Sequence, residues 1–486
     1  MLFSSSLFLL YFFPVFLLLY FIADQKFKNG ILLVASILFF AWGAPVFIFY
    51  LFGSVILDFL IVGRMSVSEG KTKRSWFLAS VFLNLGLLLY FKYANFFVAN
   101  LSTILSWVSV KSPSWVAIVM PIGISFITFQ KLSYTIEVSR KTAAPFKRLQ
   151  DYALYILMFP QILAGPIVRY PLIADQIRDH SEKDTVEEKL MGMFRFIIGL
   201  SKKVLIADVL GTQVEKIFSL TPDGLNTPLA WWGAIAYTFQ IYFDFSGYSD
   251  MAIGIARMLG FRLPENFNSP YISMNITEFW RRWHITLSTW FRDYVFLPIA
   301  YSVSRKLPKE RYFTLRADKI IYLIATSITF LLCGFWHGAG WTFIIWGAYQ
   351  GLFLILDRFF LLKLTKKAGK FPSILLTFII TITGWVIFRS ADLHTAIVYI
   401  GRMFSFDFRF VDLYLDREFW TLMGIAMLFS FFPAFKIGEK MRDLVFSGTY
   451  RLSGYLTMMI ISVILLVLSV SYATSSGFNP FIYFKF

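Results

Sequence analysis

Two of the four histidines in the chain stand where an imidazole could do chemistry. His337 closes the apolar run IATSITFLLCGFW and opens HGAGW, which leads directly into the next apolar stretch. An ionisable side chain inside a membrane segment is costly, and by default it marks function. Imidazole titrates near neutrality and suits the removal of a proton from a hydroxyl. The small residues Gly334, Gly338, Ala339 and Gly340 beside it are expected to leave room for a reactant. A packing histidine bonded to a backbone carbonyl would satisfy the same position, and position alone leaves both open. His284 lies in EFWRRWHITLS. If that segment is helical, Glu278, Arg281, Arg282 and His284 cannot all face lipid, so part of it must line water or protein. His284 then orients the first histidine, holds a substrate or anchors an interfacial helix.

Two histidines without carboxylates at ligand spacing do not argue for a metal site, so none is expected. His180, in RDHSEKD, reads as a solvated loop residue, and His394, after FRSADL, as structural. Cys333 is the single cysteine, which excludes an intramolecular disulfide and a cysteine-based zinc site; it reads as inert packing. The stretch QIYFDFSGYSDMAIGIARMLGF places Asp244, Ser246, Tyr248 and Asp250 in mostly apolar surroundings. Carboxylates buried there need partners, for which Arg257 or Arg262 are the expected sources, and bracing of a cavity is favoured over a polar substrate path.

The elements that must position these residues belong to lipid. Hydrophobic residues make up 57% of the chain and charged ones 15%, against roughly 25% charged in soluble domains. Clear apolar stretches run over Leu7–Ile22, Trp76–Phe91, Ile320–Phe335, Trp341–Leu361, Phe371–Phe388, Phe419–Phe435 and Leu456–Val470. Weaker or broken ones lie at Ile31–Val62, Trp115–Phe129, Tyr152–Ile167, Phe194–Leu210 and Leu229–Phe245. The expectation is an all-α polytopic membrane protein with about eleven embedded helices, some of them not spanning fully. Met1–Tyr20, without a positive leader or a cleavage site, reads as a retained first helix.

The formal net charge is +17, with Lys and Arg gathered in short loops. That pattern predicts cytoplasmic basic loops and anionic lipid headgroups as counter-charge, not nucleic acid. It places the N-terminus, Phe404–Arg417 and the tail Ala473–Phe486 outside. Two regions fit no simple span: Arg262–Pro298 mixes charge, tryptophan and proline, and Leu157–Pro171 is broken by Pro160, Gly165 and Pro166. Irregular backbone at membrane depth needs protein or a water-filled cavity around it, so both read as cavity walls.

EFWRRWHITLSTWFRDYVFLPI, LLCGFWHGAGWTFIIWGAYQG, MFPQILAGPIVRY, GLSKKVLIAD and FDFSGYSDMAIG together resemble the bacterial membrane-bound O-acyltransferase family. Within it they look most like the alginate and peptidoglycan O-acetyltransferase branch, and the likeness covers nearly the whole chain in order. The resemblance implies one membrane domain over 1–486, with N-terminal helices 1–139, a core 140–361, C-terminal helices 362–472 and an extracytoplasmic tail 473–486. It implies a ring of helices, with re-entrant or horizontal ones, around a thinned central funnel in a bacterial inner membrane. His337 then corresponds to the essential histidine and His284 to the upstream one, while Trp336, Gly338, Trp341, Trp283, Arg282, Asp244 and Ser246 line the funnel.

No bound cofactor is implied; acetyl-CoA or another acyl thioester is the donor, presented on the cytoplasmic side. An extracytoplasmic hydrolase-like acetyltransferase partner and a cell-surface polymer complete the transfer. The ending NPFIYFKF resembles an aromatic signature in which a tyrosine, here Tyr483, carries the acyl group. An interfacial aromatic belt is the plainer reading of that ending. A teichoic-acid D-alanyl transferase is the neighbouring alternative. A non-enzymatic polymer or lipid transporter is the alternative of another class, and the absence of paired halves speaks against it.

Overall fold

The computed structural model describes residues 1–163, 165–312, 314–411, 413, 415–447, 450–475 and 480–482. Tyr483 lies outside the described residues. The described chain is helical almost throughout, and one two-residue hairpin, Arg311–Tyr312 with Leu315–Arg316, is its only sheet. Among the described residues seven helices are long and apolar enough to cross a membrane, or eight if the pair Arg417–Ala434 and Lys436–Phe446, bent by 101°, counts as one span.

Length and composition among the described residues therefore do not confirm the expected eleven embedded helices. The opening helix Phe8–Ile22 is short and contains a π-turn. The stretch expected at Trp115–Phe129 stays non-helical until Gly123, whose φ of 81° turns the chain into Ile124–Ser139. Tyr152–Ile167 breaks into Leu149–Leu157 and Phe159–Ile162 beside Pro160 and Pro166, as a helix must where proline removes an N–H and clashes with the preceding turn.

Contacts divide the chain into two compact units, 1–196 with 251–264 and 197–250 with 265–486. The first unit holds the spans Gln25–Gly43, Phe47–Val67 and Gly70–Trp107. A carboxylate at its heart, Asp58, accepts from Ser80 Oγ (2.6 Å), Asn84 Nδ2 (2.9 Å) and Tyr152 Oη (2.5 Å). Three donors replace the water that a buried carboxylate has lost. His180 also belongs here, and the solvated-loop expectation is corrected. It is 4% exposed, stacks on Phe261 at 4.4 Å and shares hydrogen bonds with Tyr20 Oη (3.1 Å) and Gln176 O (3.3 Å). Burial holds its imidazole below the ordinary value. The charged neighbours that suggested solvent are paired instead: Asp184 with Lys28 and Lys189, and Glu188 with Arg257 and Arg262.

The second unit contains both candidate histidines. The helices that carry its site are α1 (Thr227–Met258, whose last turns join the first unit), α2 (Ile276–Arg282), α3 (Ile285–Phe291), α4 (Ala317–His337), α5 (Trp341–Leu356) and α6 (Lys370–Arg389). Helices α4 and α5 form a hairpin whose crossing is made by glycine. A Cβ at Gly334 would stand 2.3 Å from Phe343 O, and one at Gly347 2.3 Å from Phe330 O, so the two backbones touch with no side chain between them.

Candidate functional site

His337 is the last residue of α4, three residues beyond the Gly334 crossing, and Gly338 and Gly340 are both extended in the bend that leads into α5. Its ring lies edge-on to Trp336 (4.9 Å), Trp346 of α5 (4.9 Å) and Phe388 of α6 (5.3 Å). These contacts hold the imidazole by shape, in surroundings of low polarity where any charge that forms is felt strongly. Part of the expected glycine-lined room is taken, while Ala339 and Gly340 are half-buried. A Cβ on Gly338 would lie 2.2 Å from the Phe343 ring, which fills that space, and Gly334 serves the helix crossing. His337 nevertheless keeps 6% of its surface accessible, whereas His284 keeps none.

His284 is not part of a continuous helix, contrary to the reading of EFWRRWHITLS as one segment. It separates α2 from α3 in a left-handed conformation, φ 43° and ψ 55°. For a residue with a Cβ that conformation costs about 1–2 kcal/mol, and tertiary contacts must enforce it. Asn266 supplies them. Its Oδ1 accepts from His284 Nδ1 (3.0 Å), Thr286 N (3.3 Å) and Thr286 Oγ1 (2.9 Å), and its Nδ2 donates to Ser249 Oγ (3.1 Å).

A backbone N–H can only donate, so the Asn266 atom facing it is the carbonyl oxygen, and His284 Nδ1 must carry its proton. The lone pair is therefore on Nε2, which is buried and has no hydrogen-bond partner among the described residues. Burial pushes the His284 pKa down to about 3 and keeps the ring neutral. The two histidines share one neighbour, Trp336, whose ring is 6.4 Å from His284. One imidazole in an aromatic cage and one neutral imidazole with a fixed acceptor nitrogen can serve proton transfer from a hydroxyl. Among the described residues no group of histidine, cysteine, aspartate and glutamate could hold a metal ion.

The other expected lining residues fall into distinct places. Trp336 is buried between the histidines. Trp283 is buried in an aromatic core with Trp385 (4.8 Å) and Phe267 (5.0 Å). Arg282 pairs with Glu278 at 2.9 Å, and Trp341 is 55% exposed at the start of α5. Ser246 is buried with its hydroxyl unpartnered among the described residues. Asp244 and Asp250 do have partners, but not Arg257 or Arg262: Lys203 lies 2.8 Å from Asp244 and Lys202 2.6 Å from Asp250. Both lysines come from the π-helical segment Lys202–Ala207. Sequence reasoning missed these lysines, Asn266, Trp346 and Phe388. The lysine pair carried a signal, since two adjacent cations inside the apolar run FIIGLSKKVLIA demand buried counter-ions.

Residues 93–390 match the family model of the membrane-bound O-acyltransferase family. The chain belongs to that family and is an acyltransferase enzyme. It is 40% identical to a Pseudomonas putida protein described as "Probable alginate O-acetylase AlgI" over 433 residues, 88% of this chain and 85% of the relative. To the peptidoglycan O-acetyltransferase of Helicobacter pylori it is 33% identical over 431 residues, 82% of this chain and 78% of the relative. To the teichoic acid D-alanyltransferase of Bacillus subtilis it is 31% identical over 286 residues, 56% of this chain and 69% of the relative.

Proposed function

We propose that the chain moves an acetyl group from a cytosolic thioester across the membrane for O-acetylation of a cell-surface polysaccharide or peptidoglycan. The observation that carries this reading is the buried His337 imidazole in its aromatic cage, sharing Trp336 with a second imidazole whose Nε2 lone pair is uncommitted among the described residues. His337 takes the proton of an attacking hydroxyl. The hydroxyl oxygen bonds to the thioester carbonyl carbon, the C–S bond breaks, and the thiolate recovers the proton from the imidazolium. In this reading the hydroxyl is that of Tyr483, a phenol with an ordinary pKa of about 10 that needs a base at neutral pH.

The tyrosyl ester then passes to a hydroxyl of a hydrolase-like partner outside the membrane, and from there to the polymer. A covalent carrier divides a hard step in two and spares both a charged donor and a polymer from crossing the bilayer. His284 holds the hydroxyl or the donor through Nε2. Acetyl-coenzyme A or another acyl thioester serves as donor from the cytoplasmic side, with both termini outside as the loop charges predict. Acetyl is favoured over D-alanyl because the two acetyltransferases match over more of the chain than the D-alanyltransferase does.

His337→Ala tests this directly. The variant is expected to reach the membrane at normal levels and to abolish acetylation of the surface polymer, measured as ester acetate released by mild base. Polymer acetylated at the native level would refute the role.

A further inference from the structure

Residues 480–482, the described part of the C-terminal tail, make a buried contact that none of the steps above uses. After the last apolar helix, Leu452–Ser475, residues Phe481 and Ile482 lie buried in the second unit. The Ile482 amide donates to Asp244 Oδ2 at 2.8 Å. The Phe481 ring lies 4.9 Å from Tyr248 and 5.6 Å from Phe245. Asp244 and Tyr248 are four residues apart on α1 and so lie on one face, with Phe245 beside them. Phe245 in turn packs edge-on against His284 at 4.7 Å.

Asp244 is braced from behind. Lys203 Nζ lies 2.8 Å from its other oxygen, each side chain is 3% exposed, and the lysine also pairs with Asp208. A buried carboxylate persists only when paired, and once paired it is a stronger acceptor for an amide than a neutral carbonyl is. A structural ion pair has no need of the Ile482 amide, yet the carboxylate's second oxygen is spent on it.

We propose that Asp244, braced by Lys203, is a latch that seats the C-terminal tail against α1 beside His284. Phe481 fills the aromatic half of the seat, and the Ile482 amide fills the charged half. Tyr483 follows Ile482 directly in sequence and lies outside the described residues. The benefit to catalysis rests on the reading of Tyr483 as acyl carrier. Asp244 is then a positioning residue that touches neither donor nor acyl group.

Hydrogen–deuterium exchange of the C-terminal peptide in the full-length protein tests the latch independently of activity. Asp244→Ala is expected to speed exchange at Ile482 about tenfold or more, the loss of one charge-assisted hydrogen bond. Phe481→Ala, a change confined to the tail, is expected to speed it as well, with an unchanged melting temperature, a lower kcat and an unchanged KM for the thioester. It decides the matter should Asp244→Ala not fold. Wild-type exchange in either folded variant would overturn the latch. Tyr483→Phe separates the two readings. Full transfer by that variant would remove the carrier role, and the exchange rates would still judge the latch.

Discussion

Replacing Asn266 by aspartate changes one group in the site and inverts what His284 offers. In the native chain Asn266 Oδ1 receives the Nδ1–H at 3.0 Å, and burial pushes the imidazole pKa down to about 3. Asn266→Asp keeps an acceptor oxygen there and adds a negative charge. Two unit charges about 3 Å apart attract by about 5.5 kcal/mol at an effective dielectric of about 20. At about 1.36 kcal/mol per pKa unit, that is about 4 units. The imidazole pKa would rise from about 3 to about 7. Once protonated, Nε2 carries a hydrogen and can no longer accept one.

The sign follows: the variant should match the wild type in alkaline buffer and fall behind as pH drops. Transfer from a labelled thioester by protein in liposomes, measured from pH 5.5 to 8.5, gives the ratio of variant to wild-type rate at each pH. Taking the ratio cancels titrations the two proteins share. It should fall about tenfold per pH unit below about pH 7. A ratio independent of pH would refute the assignment of Nε2 as the working acceptor. The lost donation from Nδ2 to Ser249 would lower stability by about 1 kcal/mol without bending the profile.

Two further outcomes follow from the same geometry. Gly334→Ala places a Cβ 2.3 Å from Phe343 O and 3.0 Å from Gly347 Cα, both backbone atoms that cannot rotate away. It should cost about 1–3 kcal/mol and reduce transfer by shifting His337, while Gly340→Ala, whose nearest neighbour is a ring atom at 3.4 Å, should be near neutral; equal melting temperatures for the two would contradict the crossing. Stability should also fall in acid. His284 and His180 both have depressed folded pKa values, so between the folded and unfolded values only the unfolded chain binds the proton, and stability present above about pH 6.5 is lost at up to about 1.4 kcal/mol per unit for His284. A melting temperature unchanged from pH 7 to pH 5 would show that the imidazoles are not buried.

Much of the fold was legible because lipid constrains composition so strongly. The spans Ala317–His337, Trp341–Ala368, Lys370–Arg389 and Leu452–Ser475 each contain a stretch that the hydropathy pattern marks clearly. The pattern failed where apolar residues face protein instead of lipid. In Ile124–Ser139 twelve residues are buried, among them Gln130, Lys131 and Ser133, so the helix is neither amphipathic nor uniformly apolar. His180 failed for the converse reason. Charged neighbours suggested solvent, but the ion pairs of Lys28, Asp184, Glu188 and Arg257 consume that charge locally and leave an interior for the ring.

At the site, the error over Asp244 and Asp250 shows what kind of information was missing. Arg257 follows Asp250 by seven residues, two helical turns, so the two share a face of α1. At 1.5 Å per residue they are also about 10 Å apart along it, beyond the reach that pairs residues three or four apart. An intrahelical partner was therefore excluded on geometry, and the counter-charge had to come from another element; the lysines of GLSKKVLIAD were the unclaimed cations. His284 offers no such argument. A left-handed residue with a Cβ has no local preference for that conformation, and its neighbours Trp283 and Ile285 give no turn signal. What bends the chain is Asn266, eighteen residues upstream, collecting the imidazole and both donors of Thr286 on one oxygen. The same three bonds fix which nitrogen of His284 is basic, so the strain in the backbone and the chemistry of the ring have a single cause, and a substitution at Asn266 should disturb both together.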